Sequence, residues 1–309
     1  MNWDAAEIAI FIQAALDEDI GAGDLTARAI VPPQAQARAR IVARRALVLA
    51  GLPLAERIFR ALDPAARTEP HFAEGSDAPP GAVLAHIQCA ARALLTAERT
   101  ALNLLSHLSG VASLTREFVR AVAGTKTRIR DTRKTLPLLR QLEKYAVRMG
   151  GAENHRMGLY DAMLIKENHI AAAGSVAEAL RRARAFLPSP GGQPETTAYE
   201  AFAPPPAPPW DEAVPIQIEV RSEAELRQAL AAGADSLLLD NMTPGEAARL
   251  VALARALRPG CLLELSGGVT LENVRAFAAA GADYIAVGAL THSAPAADLS
   301  LLVESPLRA

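Results

Sequence analysis

AGADSLLLDNMTPGEAARLVALARALRPGCLLELSGG, residues 232–268, reads as strand, helix, strand. Ser236–Asp240 is a short apolar run, and Cys261–Ser266 is another. Pro244–Leu257 between them carries its apolar residues at helical spacing. The phrase Ala-Gly-Ala-Asp stands before the first run at Gly233 and returns at Gly281, before Tyr284–Gly288. Each glycine reads as the end of a helix that feeds a strand. Outward from this unit, strands are expected at Thr127–Thr132, Ala162–Lys166 and Ile216–Val220. Helices are expected at Leu136–Gly150, Ser175–Leu187, Glu223–Ala232 and Leu271–Ala280. Strands alternating with helices indicate a parallel sheet or barrel. About six strands can be found, short of the eight of a closed α/β barrel.

Residues 1–112 have a different texture. Ala5–Asp17 reads as an amphipathic helix with Ile8, Ile12, Ala15 and Leu16 on one face, and Gly21–Asp24 as a turn. Ala37–Val42 alternates like a half-buried strand, and Leu47–Ala50 is an apolar run closed by Gly51. Leu52–Leu62 reads as helix, Ala82–Gln88 as strand, and a long helical stretch begins at Leu94. Residues 188–215 break the rhythm, because nine of these 28 residues are proline. Such a stretch neither continues a helix nor pairs as a central strand. It is expected to be a removable surface insertion, partly polyproline II or disordered.

The chain has 309 residues, long enough for two domains or a barrel with an appendage. Half of the residues are hydrophobic and 21% are charged, which excludes global disorder. A net charge of −2 gives no global sign of nucleic-acid or membrane binding. Charge is unevenly spread, however: residues 92–166 carry a surplus of basic side chains and the rest a surplus of acidic ones. This suits either solvated helix faces or an anion-binding surface. Two cysteines, Cys89 and Cys261, cannot build a disulfide framework or a cysteine-rich metal site. The first residues resemble no signal peptide, and no apolar run approaches the ~18 residues of a membrane span. A cytoplasmic protein is expected.

In an α/β barrel the site lies where the strands end. The strand ends here are Asp131-Thr132-Arg133-Lys134, Lys166-Glu167-Asn168-His169, Glu219, Asp240-Asn241, Ser266-Gly267-Gly268 and Gly288. One or two polar ends would be ordinary helix caps; six point to a site. Arg133, Lys134, His155, Arg156 and Lys166 supply cationic groups suited to carboxylates and phosphates. Taken singly, Lys134 or Arg156 reads as surface charge, and His155 as a structural histidine. Glu219 and Asp240, on adjacent strands, suit a hard cation such as Mg²⁺. A salt bridge for Glu219 and a helix cap for Asp240 are the plainer alternatives. Ser266, Gly267, Gly268 and Gly288 could bring backbone N–H groups to a phosphate, with a helix N-terminus behind them. A phosphoribosyl donor meeting an acidic acceptor would use all three groups.

At these residues the chain resembles the quinolinate phosphoribosyltransferase family, type II phosphoribosyltransferases also called nicotinate-nucleotide pyrophosphorylases (carboxylating). The matching stretches are EDIGAGDLT (18–26), AGLPLAERIF (50–59), LTAERTALNLLSHLSGVA (95–112) and GTKTRIRDTRKTLPLLRQLEKYAVRMGGAENHRMGLYDAMLIKENHI (124–170). They continue with AGADSLLLDNM (232–242), LELSGGVTLENV (263–274) and GADYIAVGALTHS (281–293). The resemblance implies an α/β fold with an N-terminal α/β sandwich domain, 1–112, joined by the C-terminal tail 289–309. A catalytic incomplete α/β barrel, 113–288, would follow, with the insertion 188–215.

It further implies an enzyme of NAD biosynthesis that makes nicotinate mononucleotide, CO2 and pyrophosphate from quinolinate and phosphoribosyl pyrophosphate. Arg133, His155, Arg156 and Lys166 would hold quinolinate, with Arg99 contributed by the second subunit of a homodimer. Lys134, Glu219, Asp240, Ser266, Gly267, Gly268 and Gly288 would hold the donor. Glu219 and Asp240 would bind Mg²⁺, and Lys134, Lys166, Glu219 and Asp240 would be catalytic. Two departures from the family pattern stand out: Leu138 and Ala152 replace customary glycines. A paralogue associated with molybdate transport, or a barrel that only binds a phosphorylated ligand, are the competing readings.

Overall fold

The structure, a computed structural model, describes residues 1–186 and 215–308, with side chains to residue 304. Its strands are β1 (Gln36–Ala43), β2 (Leu47–Val48), β3 (Arg67–Pro70), β4 (Asp77–Ala78), β5 (Val83–Ala90) and β6 (Arg128–Arg130). They continue as β7 (Met163–Ile165), β8 (Ile216–Val220), β9 (Ser236–Asp240), β10 (Leu262–Ser266), β11 (Tyr284–Ala286) and β12 (Leu299–Arg308). The helices are α1 (Ala6–Ile20), α2 (Leu25–Ile30), α3 (Leu52–Leu62), α4 (Ala91–Ala121), α5 (Arg140–Gly150) and α6 (Glu167–Ala173). After them come α7 (Val176–Phe186), α8 (Glu223–Ala231), α9 (Pro244–Leu257), α10 (Val274–Ala278) and α11 (Ala289–His292). Two compact units form: 1–117 with 135–152 and 290–309, and 118–134 with 153–289. The boundary expected after residue 112 falls inside α4, which runs on without a break.

The first unit is built on an antiparallel sheet of order β12-β1-β5-β3. Alternation decides its faces: Gln36, Arg38 and Arg40 of β1 are exposed, whereas Ala37, Ala39 and Ile41 are buried. The C-terminal tail joins this unit as a strand, with β12 antiparallel to β1 and Glu304 opposite Arg38. Helix α3 buries Leu54, Ala55, Ile58 and Phe59. Its first turn is held by Glu74, whose carboxylate accepts from Gly51 N–H at 2.7 Å, Leu52 N–H at 3.0 Å and Tyr145 O–H at 2.6 Å. Burial pushes the Glu74 carboxyl up, against the pull of these three donors.

The expected helix 136–150 begins only at Arg140. Pro137 and a left-handed Leu138, at φ 67°, occupy the residues before it. A branched L side chain is strained there, which explains physically why glycine suits that position. Ala152, the other departure, is buried and does not take a positive φ. Leu138 is 92% exposed, so trimming it loses little packing. Leu138→Gly is therefore expected to stabilise the protein by about 0.5–1 kcal/mol. A higher denaturation midpoint at unchanged slope would show it; a lower midpoint would refute it.

The second unit holds a parallel sheet of order β6-β11-β10-β9-β8-β7. Its strands are the six that the sequence pattern indicates. The ends β6 and β7 do not pair, and the gap is bordered by a lone parallel bridge between Arg130 and Glu153. This is an incomplete barrel. Helices α7, α8 and α9 turn buried stripes to it, through Leu180, Leu226 and Ala229, and Leu250 and Ala254. Two expectations need correction. The helix expected at 271–280 is only Val274–Ala278, because an Asn273 turn precedes it. The helix α6 that follows Lys166 was not anticipated, although Gly174 ends it at φ 93°.

The insertion expected at 188–215 lies outside the described residues except for Pro215. The Pro215 carbonyl accepts from Met163 N–H at 2.9 Å, so a removable segment must stop short of it. Among the described residues, no helix is long and apolar enough to cross a membrane.

Candidate active site

Every site residue expected from the sequence falls in the second unit except Arg99, which lies on α4 in the first. Two pockets of opposite character form there. The acidic one lies at the C-terminal ends of β8 and β9. Glu219 is 5% exposed and Asp240 is half-buried. Arg221 Nη2 sits 2.9 Å from Glu219 Oε1, 3.2 Å from Glu167 Oε2 and 3.7 Å from Asp240 Oδ2. Lys166 Nζ lies 3.6 Å from Glu219 Oε2. Burial first, and then the charge of Asp240, push the Glu219 carboxyl up, while Lys166 and Arg221 pull it down. The salt-bridge alternative for Glu219 is thus present. The cap alternative for Asp240 fails, because Thr243 caps α9 by accepting from Glu246 N–H.

Three carboxylates converging on one cationic nitrogen form a hard, oxygen-rich donor set. Their donor chemistry suits a divalent cation of the Mg²⁺ type, and Arg221 supplies the cation that faces them. Neither Glu167 nor Arg221 was singled out by sequence. An acid two or three residues from a strand end looks like any helix N-terminal acid, and an arginine after a strand looks like surface charge.

The cationic pocket is formed by the loops after β6 and around residue 156. Arg133 and Arg156 are both half-buried. Arg156 donates to the Ala162 carbonyl at 2.8 Å. Burial, followed by the charge of Arg133, pushes the Arg156 pKa down, and Asp161 opposes them. A guanidinium that burial and a like-charged neighbour both disfavour is suited to meet an anion. Lys134 is exposed, and its N–H donates to Thr132 Oγ1 at 3.0 Å.

His155 is built into the barrel interior. Its backbone N–H donates to Asp131 Oδ1 at 2.7 Å. Nδ1 accepts from Arg156 N–H at 2.8 Å, so in the neutral ring Nε2 carries the proton and donates to Gln217 Oε1 at 3.1 Å. Gln217 Nε2 then donates to Glu264 Oε2 at 3.0 Å, and Arg130 Nη1 approaches the same carboxylate at 3.4 Å. Arg130 also lies over the Tyr284 ring, 3.3 Å from its centre. The interior under the site is therefore a polar network. Period-two alternation gives its signal, because Gln217 and Glu219, and Glu264 and Ser266, share one face of their strands. Glu264 is 1% exposed, and its removal takes the acceptor from Gln217 Nε2 and one of two carboxylates from Arg130. Glu264→Ala is expected to cost about 3 kcal/mol, to be read from chemical denaturation. A loss no larger than that of an exposed glutamate would refute the network's weight.

Ser266 ends β10, and Gly267 and Gly268 follow it, next to the end of β9: Asp240 is in register with Ser266, and Asn241 N–H donates to the Ser266 carbonyl at 2.9 Å. Gly267 takes φ 93°, and a Cβ there would stand 2.3 Å from Asn241 Oδ1, so only glycine allows this approach. A Cβ on Gly268 would meet nothing within 4 Å, leaving open space before it. The expected helix N-terminus behind this loop is absent. A turn closed by Asn273 intervenes, with its Oδ1 accepting from Thr270 N–H and its Nδ2 donating to the Gly268 carbonyl. Gly288 follows β11 and precedes α11.

On α4, Leu102 and Leu105 are buried, whereas Arg99 is exposed and lies off their apolar face. Among the described residues it has no ion-pair partner.

Residues 24–109 match the model for the quinolinate phosphoribosyl transferase N-terminal domain. Residues 111–200 and 208–302 match that for the C-terminal domain. A nicotinate-nucleotide pyrophosphorylase [carboxylating] of Mycobacterium leprae is 42% identical over 295 residues, covering 94% of this chain and 95% of that protein. A probable nicotinate-nucleotide pyrophosphorylase [carboxylating] of Bacillus subtilis is 41% identical, covering 92% and 89%. The solved structure of the nicotinate-nucleotide pyrophosphorylase from Francisella tularensis superposes with a TM-score of 0.84 at 34% identity, covering 96% of both chains.

Proposed function

The chain belongs to the quinolinate phosphoribosyltransferase family, and from that premise we propose how its two pockets divide the reaction. The enzyme transfers phosphoribose from phosphoribosyl pyrophosphate to quinolinate and decarboxylates the adduct to nicotinate mononucleotide, a step of NAD biosynthesis. The cationic pocket of Arg133 and Arg156 takes the pyridine dicarboxylate, with Lys166 at its border to the acidic pocket. The acidic pocket takes the donor. The observation that carries this division is the pair of half-buried guanidiniums, whose mutual repulsion a dianion relieves.

The pyridine nitrogen bonds to the ribose anomeric carbon as the bond to pyrophosphate breaks, and that electron pair leaves on pyrophosphate. The ring, now positive, accepts the electrons of the adjacent carbon–carboxylate bond as CO2 departs, and a proton returns to that carbon. The ring is its own electron sink, so no covalent nucleophile on the protein is needed. Mg²⁺ held by Glu219 and Asp240 would offset the charge of the leaving pyrophosphate. Arg221, nearly half-exposed, can swing off the carboxylates to make room. Lys134 and the Ser266–Gly268 and Gly288 loops meet phosphate. His155, with both ring nitrogens engaged inside the chain, stiffens the loop that carries Arg156.

The reading extends to a homodimer in which the exposed Arg99 reaches the partner's pyridine carboxylate. It also places the enzyme in the cytoplasm, in keeping with two free, buried cysteines whose thiols burial pushes up, Cys89 to about 12 and Cys261 to about 11.

Formation of nicotinate mononucleotide from the two substrates with Mg²⁺ tests the function directly. Glu219→Gln with Asp240→Asn keeps shape and removes charge. Turnover is expected to fall at least about 100-fold at an unchanged melting temperature. Full activity in the double variant would leave the carboxylates a structural role only.

A further inference from the structure

The exposed face of the antiparallel sheet carries a second cluster, which the reaction leaves unused. Glu69 on β3 stands opposite His86 on β5, so both side chains leave the sheet on the same side. His71 follows two residues after Glu69, on that side again, with its N–H held by the Leu84 carbonyl at 2.8 Å. His71 Nε2 lies 2.9 Å from His86 Nδ1, and the two rings are 4.9 Å apart. One carboxylate oxygen of Glu69 and one nitrogen from each histidine fall within 4.8 Å of one another. Behind His86, its Nε2 lies 3.6 Å from Glu304 Oε1 on β12. Glu304 is in turn held by Arg38 at 3.3 Å.

We propose that Glu69, His71 and His86 bind one divalent transition-metal ion of the zinc class. Two imidazoles and a carboxylate form a borderline ligand set that selects such ions over Mg²⁺. The Glu304 carboxylate, 3.6 Å from His86 Nε2, favours a proton on that nitrogen, which leaves the Nδ1 lone pair facing the cluster, much as outer carboxylates orient metal-binding histidines. The hydrogen bond between the rings puts a proton where the ion would go. Binding requires His71 to carry its ring proton on Nδ1 instead of Nε2, with no net change in protonation. Zinc–nitrogen bonds near 2 Å set tetrahedral ligand spacings of about 3.3 Å, so the rings must part by only a few tenths of an ångström. Glu69 on β3 and His71 just after it are both exposed, which leaves room for that adjustment. Water completes the fourth position. The ion would tie the end of β3 to β5 and, through Glu304, to the C-terminal strand.

The test is equilibrium dialysis of the untagged full-length protein against Zn²⁺ in the presence of excess Mg²⁺. One zinc resistant to Mg²⁺ is expected in the wild type and in His292→Ala, and it should vanish in His71→Ala and in His86→Ala. Glu304→Gln should weaken it by about 10- to 100-fold. Unchanged melting temperatures without zinc would show that the variants fold. Should one fail to fold, Co²⁺ bound to the wild type decides alone, since nitrogen ligation in a tetrahedral site gives intense visible bands. Zinc retained in both histidine variants, no zinc in the wild type, or a Co²⁺ spectrum like that of the hydrated ion would each overturn the site.

Discussion

Arg133→Ala is expected to raise the KM for quinolinate by about 10- to 150-fold while the KM for phosphoribosyl pyrophosphate stays within a few-fold of wild type. The magnitude follows from a charged hydrogen bond worth about 1.5–3 kcal/mol, most of which is lost with the guanidinium. The asymmetry follows from the division of the site. Arg133 stands beside Arg156, whereas the donor's groups are assigned to Glu219, Asp240 and the Ser266–Gly268 loop. Arg133→Lys should recover part of the loss, because a point charge replaces one arm of a bidentate fork. Arg133→Ala also bears on Arg156: without its like-charged neighbour, the Arg156 guanidinium is less destabilised, so a smaller anion should still bind weakly. Steady-state kinetics with each substrate varied in turn provides the measurement. Equal losses for both substrates would mean that Arg133 supports the fold of the loop rather than the pyridine.

The strand ends were legible because polar residues at the ends of apolar runs have few structural explanations. Asp240, Ser266 and Gly267 are such residues, and their register across β9 and β10 follows from a parallel sheet. Gly267 was legible as a glycine, but its reason was not. The phosphate argument invoked a helix N-terminus, whereas the structure shows a close approach to Asn241 and a turn in place of the helix. Long-range charge pairing was not legible at all. Arg221 meets Glu167 from another strand's end, and Gln217 links His155 to Glu264 across the interior. Neither pairing leaves a periodic trace, because each depends on which strands become neighbours. The same limit hid the short antiparallel strands β3 and β4, too brief for alternation to register. Arg99 shows the converse limit. Spacings of three and four group it with Leu95, Leu102 and Leu105, but a residue at the edge of a stripe turns outward with a rotation of a few tens of degrees.

That outward turn gives Arg99 its clearest test. Arg99→Ala and Lys166→Ala enzymes are each expected to be nearly inactive as homodimers. Unfolded together in equal amounts and refolded, they should recover about a quarter of the wild-type rate, since half of the dimers are then mixed and each mixed dimer has one intact site. In that dimer, one site pairs a native Lys166 with the partner's native Arg99, and the other site lacks both. The physical ground is that Arg99 is exposed on α4 with no acidic partner among the described residues, a long cationic side chain left for an anion outside its own chain. If Arg99 served the site of its own subunit, each site of a mixed dimer would still lack one residue, and refolding together would restore nothing. If Arg99 served no site, the Arg99→Ala homodimer would already be active before any mixing. The three outcomes differ in the rates of the homodimers and of their refolded mixture, so the assignment of Arg99 across the interface stands or falls on those rates.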